Sequence, residues 1–195
     1  EKENKTVKYW TRAIIPFVVI LSCIPLMAGE LPVTATEDQR IALAELQKIS
    51  SKNFSMKWDE RRGVAKFLSG ELTETPGLSQ ETLALGFIEK YKVLLGIHDL
   101  VKDIELESIK AVPEGYYITA KQKKGGLEVI GGKITVRINK GVITTVANYF
   151  EPNIPVKTTP TLSLEEAESI ARKDLGLDEK ATSAILAIFH WEGKF

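Results

Sequence analysis

The chain has little of what disulfides and catalytic metal sites require. Its 195 residues include one cysteine, Cys23, and two histidines, His98 and His190. A lone cysteine cannot form an intramolecular disulfide, so stability has to come from a packed core. Neither histidine belongs to an H-E-x-x-H motif, which places two imidazoles on one helix face for zinc. The sequence therefore predicts no metal site and no cofactor site in this chain.

An excess of charge is missing as well. The 26 basic residues balance the 26 acidic ones, whereas a nucleic-acid binder normally shows a basic excess or a clustered patch. The cluster Lys121, Lys123 and Lys124 falls at the end of a predicted hairpin, where a solvated turn explains it. We therefore expect no nucleic-acid partner. Hydrophobic residues make up 44% of the chain, which is enough for a packed core.

Catalytic patterns are absent too. The neighbouring carboxylates Glu165 and Glu166 could suggest acid–base chemistry, but a helix start, where acidic side chains offset the macrodipole, explains them better. No serine stands in a nucleophile-elbow pattern. The sequence predicts that this chain is not an enzyme and has no catalytic residues. A rarer alternative is an extracellular ligand-binding domain that uses the aromatic residues Tyr116 and Tyr149.

The N-terminus has the layout of a secretory signal. An apolar run over residues 13–28 follows four basic residues: Lys2, Lys5, Lys8 and Arg12. The run is about 16 residues long, short of the roughly 20 that span a bilayer. We predict a signal peptide or membrane anchor over residues 1–35, with cleavage after Ala28 or Ala35 favoured. The protein would then be secreted, or anchored at the outer face of the membrane through residues 13–28 if these are not cleaved.

Apolar periodicity divides the rest of the chain into helices and strands. The predicted helices cover residues 37–50 and run for about 16 residues from Ser79 to Gly96. The predicted strands cover residues 54–58, 64–68, 104–109, 116–122, 127–138 and 142–149. This order predicts an α+β fold, an antiparallel β-sheet meander with helices packed on one face, preceded by the signal or anchor helix.

A second module is predicted after residue 150. Residues 151–160 contain three prolines and no apolar period, which is typical of a linker. Ser163 and Glu166 then form a capping box ahead of a helix that should end at Gly176. A buried strand is predicted over residues 184–189.

The most informative segment is residues 126–148. Ile134, Val136 and Ile138 alternate with polar residues, as in a half-buried strand. Asn139-Lys140-Gly141 is typical of a tight turn in which Gly141 takes a positive φ. The pair Gly131-Gly132 predicts a bulge or a close backbone approach.

This segment resembles the conserved strip of fungalysin/thermolysin propeptide domains, which fold and restrain secreted zinc metallopeptidases. The matching positions are Gln122, Gly126, Leu127, Val129, Gly131, Gly132, Asn139 and Gly141. The chain departs from the family at Tyr117, Thr119, Lys124 and Glu128. Residues 161–176 resemble the first helix of a PepSY domain, which follows the propeptide domain in thermolysin precursors.

The resemblance implies a propeptide-like domain over residues 36–150, a linker over 151–160 and a partial PepSY-like domain over 161–195. The chain would act as intramolecular chaperone and inhibitor of a zinc metalloendopeptidase. Its partner would be the metallopeptidase catalytic domain, in cis or in trans, and zinc would be bound only there. The eight matching residues would be structural or partner-facing. The alternative is a free-standing secreted or membrane-anchored module that binds or inhibits a peptidase in trans.

Overall fold

The computed structural model describes residues 31–50, 53–73, 77–176, 178 and 183–189. The predicted signal or anchor segment, Cys23 and His190 lie outside these residues. Among the described residues, no helix is both long enough and apolar enough to cross a bilayer. Cleavage and anchoring of the N-terminal segment therefore stay predictions.

The described residues form helices and strands in the order that periodicity predicted, with a few differences in bounds. In chain order they are α1 (Glu37–Ile49), β1 (Ser55–Asp59), β2 (Val64–Ser69), α2 (Gln80–Lys90), α3 (Lys92–Leu95), α4 (Leu100–Asp103), β3 (Ile104–Val112), β4 (Gly115–Lys124), β5 (Leu127–Asn139), β6 (Val142–Asn148), α5 (Leu164–Leu175) and β7 (Ala187–Phe189).

The strands form one seven-stranded sheet in the order β1-β2-β6-β5-β4-β3, with β7 added beside β5. All pairs are antiparallel except β5–β7, which is parallel. Strands β3 to β6 form the predicted meander. Strands β6 and β7 pair with different halves of β5, β6 from Ile134 onward and β7 at residues 128–130.

Helices α1, α2 and α3 pack on one face of this sheet. Their buried residues, such as Leu46, Phe87 and Leu94, belong to one cluster with the inward-facing strand residues. Val136, on the central strand, is fully buried there. Burying one such side chain contributes roughly 1.5–3 kcal/mol, and the period-2 pattern of β5 provides three of them. The predicted α+β fold, with helices on one face, is confirmed.

The helix ends follow their capping residues. Thr36 and Gln39 form a capping box at α1, and Ser79 caps α2. The single helix predicted from Ser79 to Gly96 is wrong in one respect: a turn at Tyr91 divides it into α2 and α3. Gly96 ends α3 with φ +78°, a conformation that favours glycine.

The β5–β6 hairpin has the predicted tight turn. Lys140 and Gly141 are its two central residues, with φ of +49° and +78°. Two positive φ angles in a two-residue loop match the twist of the flanking strands.

The second predicted module differs more from expectation. Ser163 and Glu166 form the predicted capping box, and Gly176 ends α5 in the left-handed region. Within the described part of the chain, however, α5 contributes no buried residue. The buried strand predicted over 184–189 is wrong in its length. Only Ala187–Phe189 pairs with the sheet, and Ile188 alone is buried in it.

Candidate functional site

The eight residues predicted from the sequence do not form one site. Asn139 and Gly141 lie at the β5–β6 turn, whereas Leu127 begins β5. At about 3.3 Å per residue, the two ends of this 13-residue strand are roughly 40 Å apart. Gly126 occupies the β4–β5 turn with φ +84°. The remaining four residues, Gln122, Val129, Gly131 and Gly132, meet where the β4–β5 pairing is irregular.

The two glycines create this irregularity. Lys121 pairs with Lys133, but Lys123 pairs with Glu128, so β5 contains extra residues between the two pairs. Gly131 lies there with φ +83°. The bulge predicted for the Gly131-Gly132 pair is therefore confirmed.

Gly132 is needed because the Gln122 side chain packs closely against its backbone, and not because of its backbone angles. A Cβ atom at this position would lie 2.5 Å from Gln122 Oε1 and 3.0 Å from Gln122 Cβ. Gln122 is a buried amide with 2% exposure. Its Nε2 donates to the Glu151 carbonyl at 2.7 Å, and its Oε1 accepts from the Glu151 N–H at 2.9 Å. Gln122 and Gly132 together hold the chain where it leaves β6.

An arginine–carboxylate cluster lies beside this point. Buried Arg62 donates through Nε to Asp59 Oδ2 at 2.9 Å, and through its other nitrogens to the carbonyls of Phe150 and Asn148. Its neighbour Arg61 is more exposed and forms a two-pronged ion pair with the Glu151 carboxylate at 2.6 and 3.3 Å. Bidentate arginine pairs combine charge with fixed geometry.

Asn148 joins this cluster to the helical layer. Its side chain is fully buried, and Nδ2 donates to the carbonyls of Ala65 and Leu95 at 2.9 and 3.0 Å. Its Oδ1 accepts from the Phe150 N–H at 2.9 Å. One amide therefore links β2, the end of α3 and the segment that follows β6.

The charges of the cluster are mutually compensated. Burial alone would raise the pKa of Asp59, but hydrogen bonds from the Arg62 backbone and side chain and the charges of both arginines lower it overall. The hydrogen bond to Glu151 raises the pKa of the Arg61 guanidinium. The two arginines thus favour the ionised form of Asp59, an arrangement suited to structure and binding.

A depression of about 270 Å³ opens at this corner of the sheet. Its lining includes the exposed side chains of Lys66 and Tyr149 and the backbone of Gly131 and Gly132. A second, apolar strip continues from it, because Val129 packs with Ile154 and Ile188. Residue 154 lies in the predicted linker, so part of that segment packs against β5.

The described residues contain no group of three His, Cys, Asp or Glu side chains that could hold a metal ion. His98, the one histidine among them, is exposed after α3. The corner offers a partner its charged groups, its hydrogen-bonding groups and the exposed backbone of Gly131.

Sequence reasoning missed the polar members of this corner. Residues 59–63 were predicted only as the connection between the strands over 54–58 and 64–68, and Asn148 only as part of the strand over 142–149. Arg62 and Asn148 act through contacts with distant segments: Arg62 and Phe150 are 88 positions apart, and Asn148 and Ala65 are 83 apart. The only sequence signal was the run Asp59-Glu60-Arg61-Arg62, which is unusually charged for a short hairpin turn.

The chain is distantly similar to thermolysins. It matches the thermolysins of Alicyclobacillus acidocaldarius, Bacillus caldolyticus and Bacillus sp. strain EA1, each at 24% identity over 131 residues. The match covers 65% of this chain and 24% of each relative, so the chain spans about a quarter of their length. No protein-family model matches the sequence. No solved structure matches it either. These findings link the chain to a region of thermolysin-type peptidase precursors.

Proposed function

We propose that this chain is the propeptide region of a secreted zinc metalloendopeptidase precursor and that it acts as intramolecular chaperone and inhibitor of the peptidase domain. The observation that carries the proposal is the similarity of 131 residues to a quarter of three thermolysins. The resemblance of the strip from Gln122 to Gly141 to propeptide domains supports the same assignment.

The geometry supports binding as the activity. The cluster around Gln122, Arg62 and Asn148 makes a rigid corner from segments far apart in the sequence. A rigid surface that binds the native peptidase domain stabilises that domain by mass action. If both domains share one chain, the effective concentration is in the millimolar range, so weak contacts suffice.

The organisation of the precursor belongs to this proposal. Residues 1–35 would export the protein, residues 36–150 would form the propeptide domain, and residues 161–195 would begin a PepSY domain. Zinc would reside in the peptidase domain alone. Of the described elements, α5 and β7 fall in the range proposed for the PepSY domain, and β7 pairs with β5 of the sheet.

The test uses the full chain and purified Bacillus caldolyticus thermolysin. The chain should inhibit the enzyme reversibly and should raise the yield of active enzyme when denatured thermolysin is diluted from guanidinium. An unrelated protein of the same length and net charge serves as the control. If neither inhibition nor refolding differs from this control, the proposed function is wrong. Inhibition without an effect on refolding would favour the alternative of an inhibitory module acting in trans.

A further inference from the structure

The described helices leave one face of the sheet uncovered. Residues directly opposite each other in antiparallel strands share a face, so the strand register shows which side chains meet there. One row across the sheet consists of Lys57, Phe67, Ala147, Thr135 and Thr119. The next row consists of Ser69, Thr145, Arg137, Tyr117 and Lys110. We call these two rows, together with Lys133, the open face.

The side chains in the middle of the open face are short and mostly uncharged, since threonine and alanine occupy most of its central positions. Its basic side chains surround this floor. Lys57 and Lys110 lie on the edge strands β1 and β3, and Lys133 lies on β5 beside the Gly131-Gly132 bulge. All three lysines are exposed, and among the described residues none of them has a carboxylate within ion-pair distance.

Arg137 and Tyr117 form the aromatic–cationic part of the face. The Arg137 guanidinium lies 5.7 Å from the centroid of the Tyr117 ring. Its nearest described carboxylate, Glu114, is 4.0 Å away and 73% exposed. Such a remote, solvated contact leaves most of the arginine charge available. Tyrosine and arginine are also the residues that most often anchor protein interfaces.

Charge is therefore segregated on a chain whose total charge is zero. Lys57, Lys110, Lys133 and Arg137 contribute four positive charges. Three described carboxylates on this side of the sheet already have basic neighbours: Glu105 lies 3.5 and 3.2 Å from Lys121 and Lys123, Glu128 lies 3.6 Å from Lys121, and Glu114 lies 4.0 Å from Arg137. A surface with one sign of charge attracts a partner with the opposite sign and speeds its association.

We propose that the open face is a docking surface for an acidic protein surface. This inference rests on the proposed function, under which that acidic surface belongs to the peptidase domain. The small side chains of Thr119, Thr135, Thr145 and Ala147, with basic residues around them, leave the sheet face accessible to a protein surface. Complementary charge then sets the orientation of the two partners.

The experiment compares two triple variants of the full chain that change the net charge equally. The first is Lys57→Glu/Lys110→Glu/Lys133→Glu on the open face. The control reverses three exposed lysines elsewhere: Lys48, Lys157 and Lys173. Binding to Bacillus caldolyticus thermolysin, with its zinc chelated by 1,10-phenanthroline to prevent cleavage, is measured at low and at high salt. The urea midpoints of both variants should match that of the parent chain.

The open-face variant should bind at least about tenfold more weakly than the control, and its affinity should lose most of its salt dependence. If the open-face variant itself unfolds, the same three positions are changed to glutamine, which removes the charges without reversing them. If the parent binds and the two triple variants are weakened equally, the docking surface is wrong while the proposed function stands. If the parent does not bind, both are wrong. If the parent binds single-stranded DNA instead of the enzyme, and the open-face variant loses this binding, the proposal of a protein partner is also wrong.

Discussion

The contact between Gly132 and Gln122 makes a sharp prediction about stability. In Gly132→Ala, the new Cβ would lie 2.5 Å from Gln122 Oε1 and 3.0 Å from Gln122 Cβ, so the glutamine side chain must move. Moving it breaks both hydrogen bonds to the Glu151 backbone. Each bond contributes about 0.5–1.5 kcal/mol, and a buried polar group left without its partner costs more. We expect Gly132→Ala to lower the free energy of unfolding by about 2–3 kcal/mol.

A double-mutant cycle separates this mechanism from a general cost of changing the bulge. Gln122→Ala removes the same two hydrogen bonds and the clash with Oε1 but keeps the 3.0 Å contact with the residue 122 Cβ, so adding Gly132→Ala to it should cost about 1 kcal/mol more. The coupling energy between the two changes should be about 1–2 kcal/mol. The matched control is Gly131→Ala, whose Cβ would meet nothing within 4 Å but whose φ of +83° is strained. Its cost, about 1–2 kcal/mol, should be independent of Gln122.

Urea unfolding of the full chain at pH 7, followed by tryptophan fluorescence, measures six proteins: the four of the cycle, Gly131→Ala and Gln122→Ala/Gly131→Ala. A coupling energy below about 0.5 kcal/mol between Gly132 and Gln122 would refute the steric argument, because additive costs mean that the two residues act separately. Equal coupling at Gly131 would refute it as well, since that glycine does not touch the glutamine.

Two further predictions concern the arginine–carboxylate cluster. Arg62→Met should lower the free energy of unfolding, measured in urea, by about 2–4 kcal/mol, because it removes the side-chain donor to Asp59 and to two carbonyls. Arg61→Ala should cost less than about 1 kcal/mol, because that arginine is 59% exposed. Equal losses in the two variants would contradict this assignment. The lowered pKa of Asp59 means that its contribution is fully present above its unfolded pKa of about 3.9 and is lost as pH falls through the lower folded pKa. Asp59→Asn should therefore flatten the fall in stability below about pH 4 in urea titrations, and an unchanged slope would show that Asp59 does not contribute to this fall.

Most of the fold follows from local sequence rules. The alternation of Ile134, Val136 and Ile138 identified β5 and its buried face, since this pattern buries three side chains only as a strand. Capping residues located the helix ends for the same reason, because Ser163 and Gly176 act on their own backbone neighbours.

The rest depends on contacts between distant segments, which periodicity does not encode. The turn at Tyr91 has no local signal, because the residue lies in an uninterrupted helical pattern. The exposure of Ile185 and Leu186, at 76% and 53%, depends on what packs against them and not on their hydropathy. Arg62 could be predicted as a turn residue but not as a buried donor to residues 148 and 150.

The structure separates two groups of residues within the strip that resembles propeptide domains. Gln122, Val129 and Gly132 match that family and are buried, so they constrain the path of the backbone. Tyr117 and Thr119 depart from it and lie on the open face of β4. Buried positions constrain the fold whichever partner is bound. Exposed positions on a binding surface can instead vary to match one particular partner. If the open face meets the peptidase, these departures are where this chain would distinguish its own enzyme from a related one, because they change the interface without changing the core.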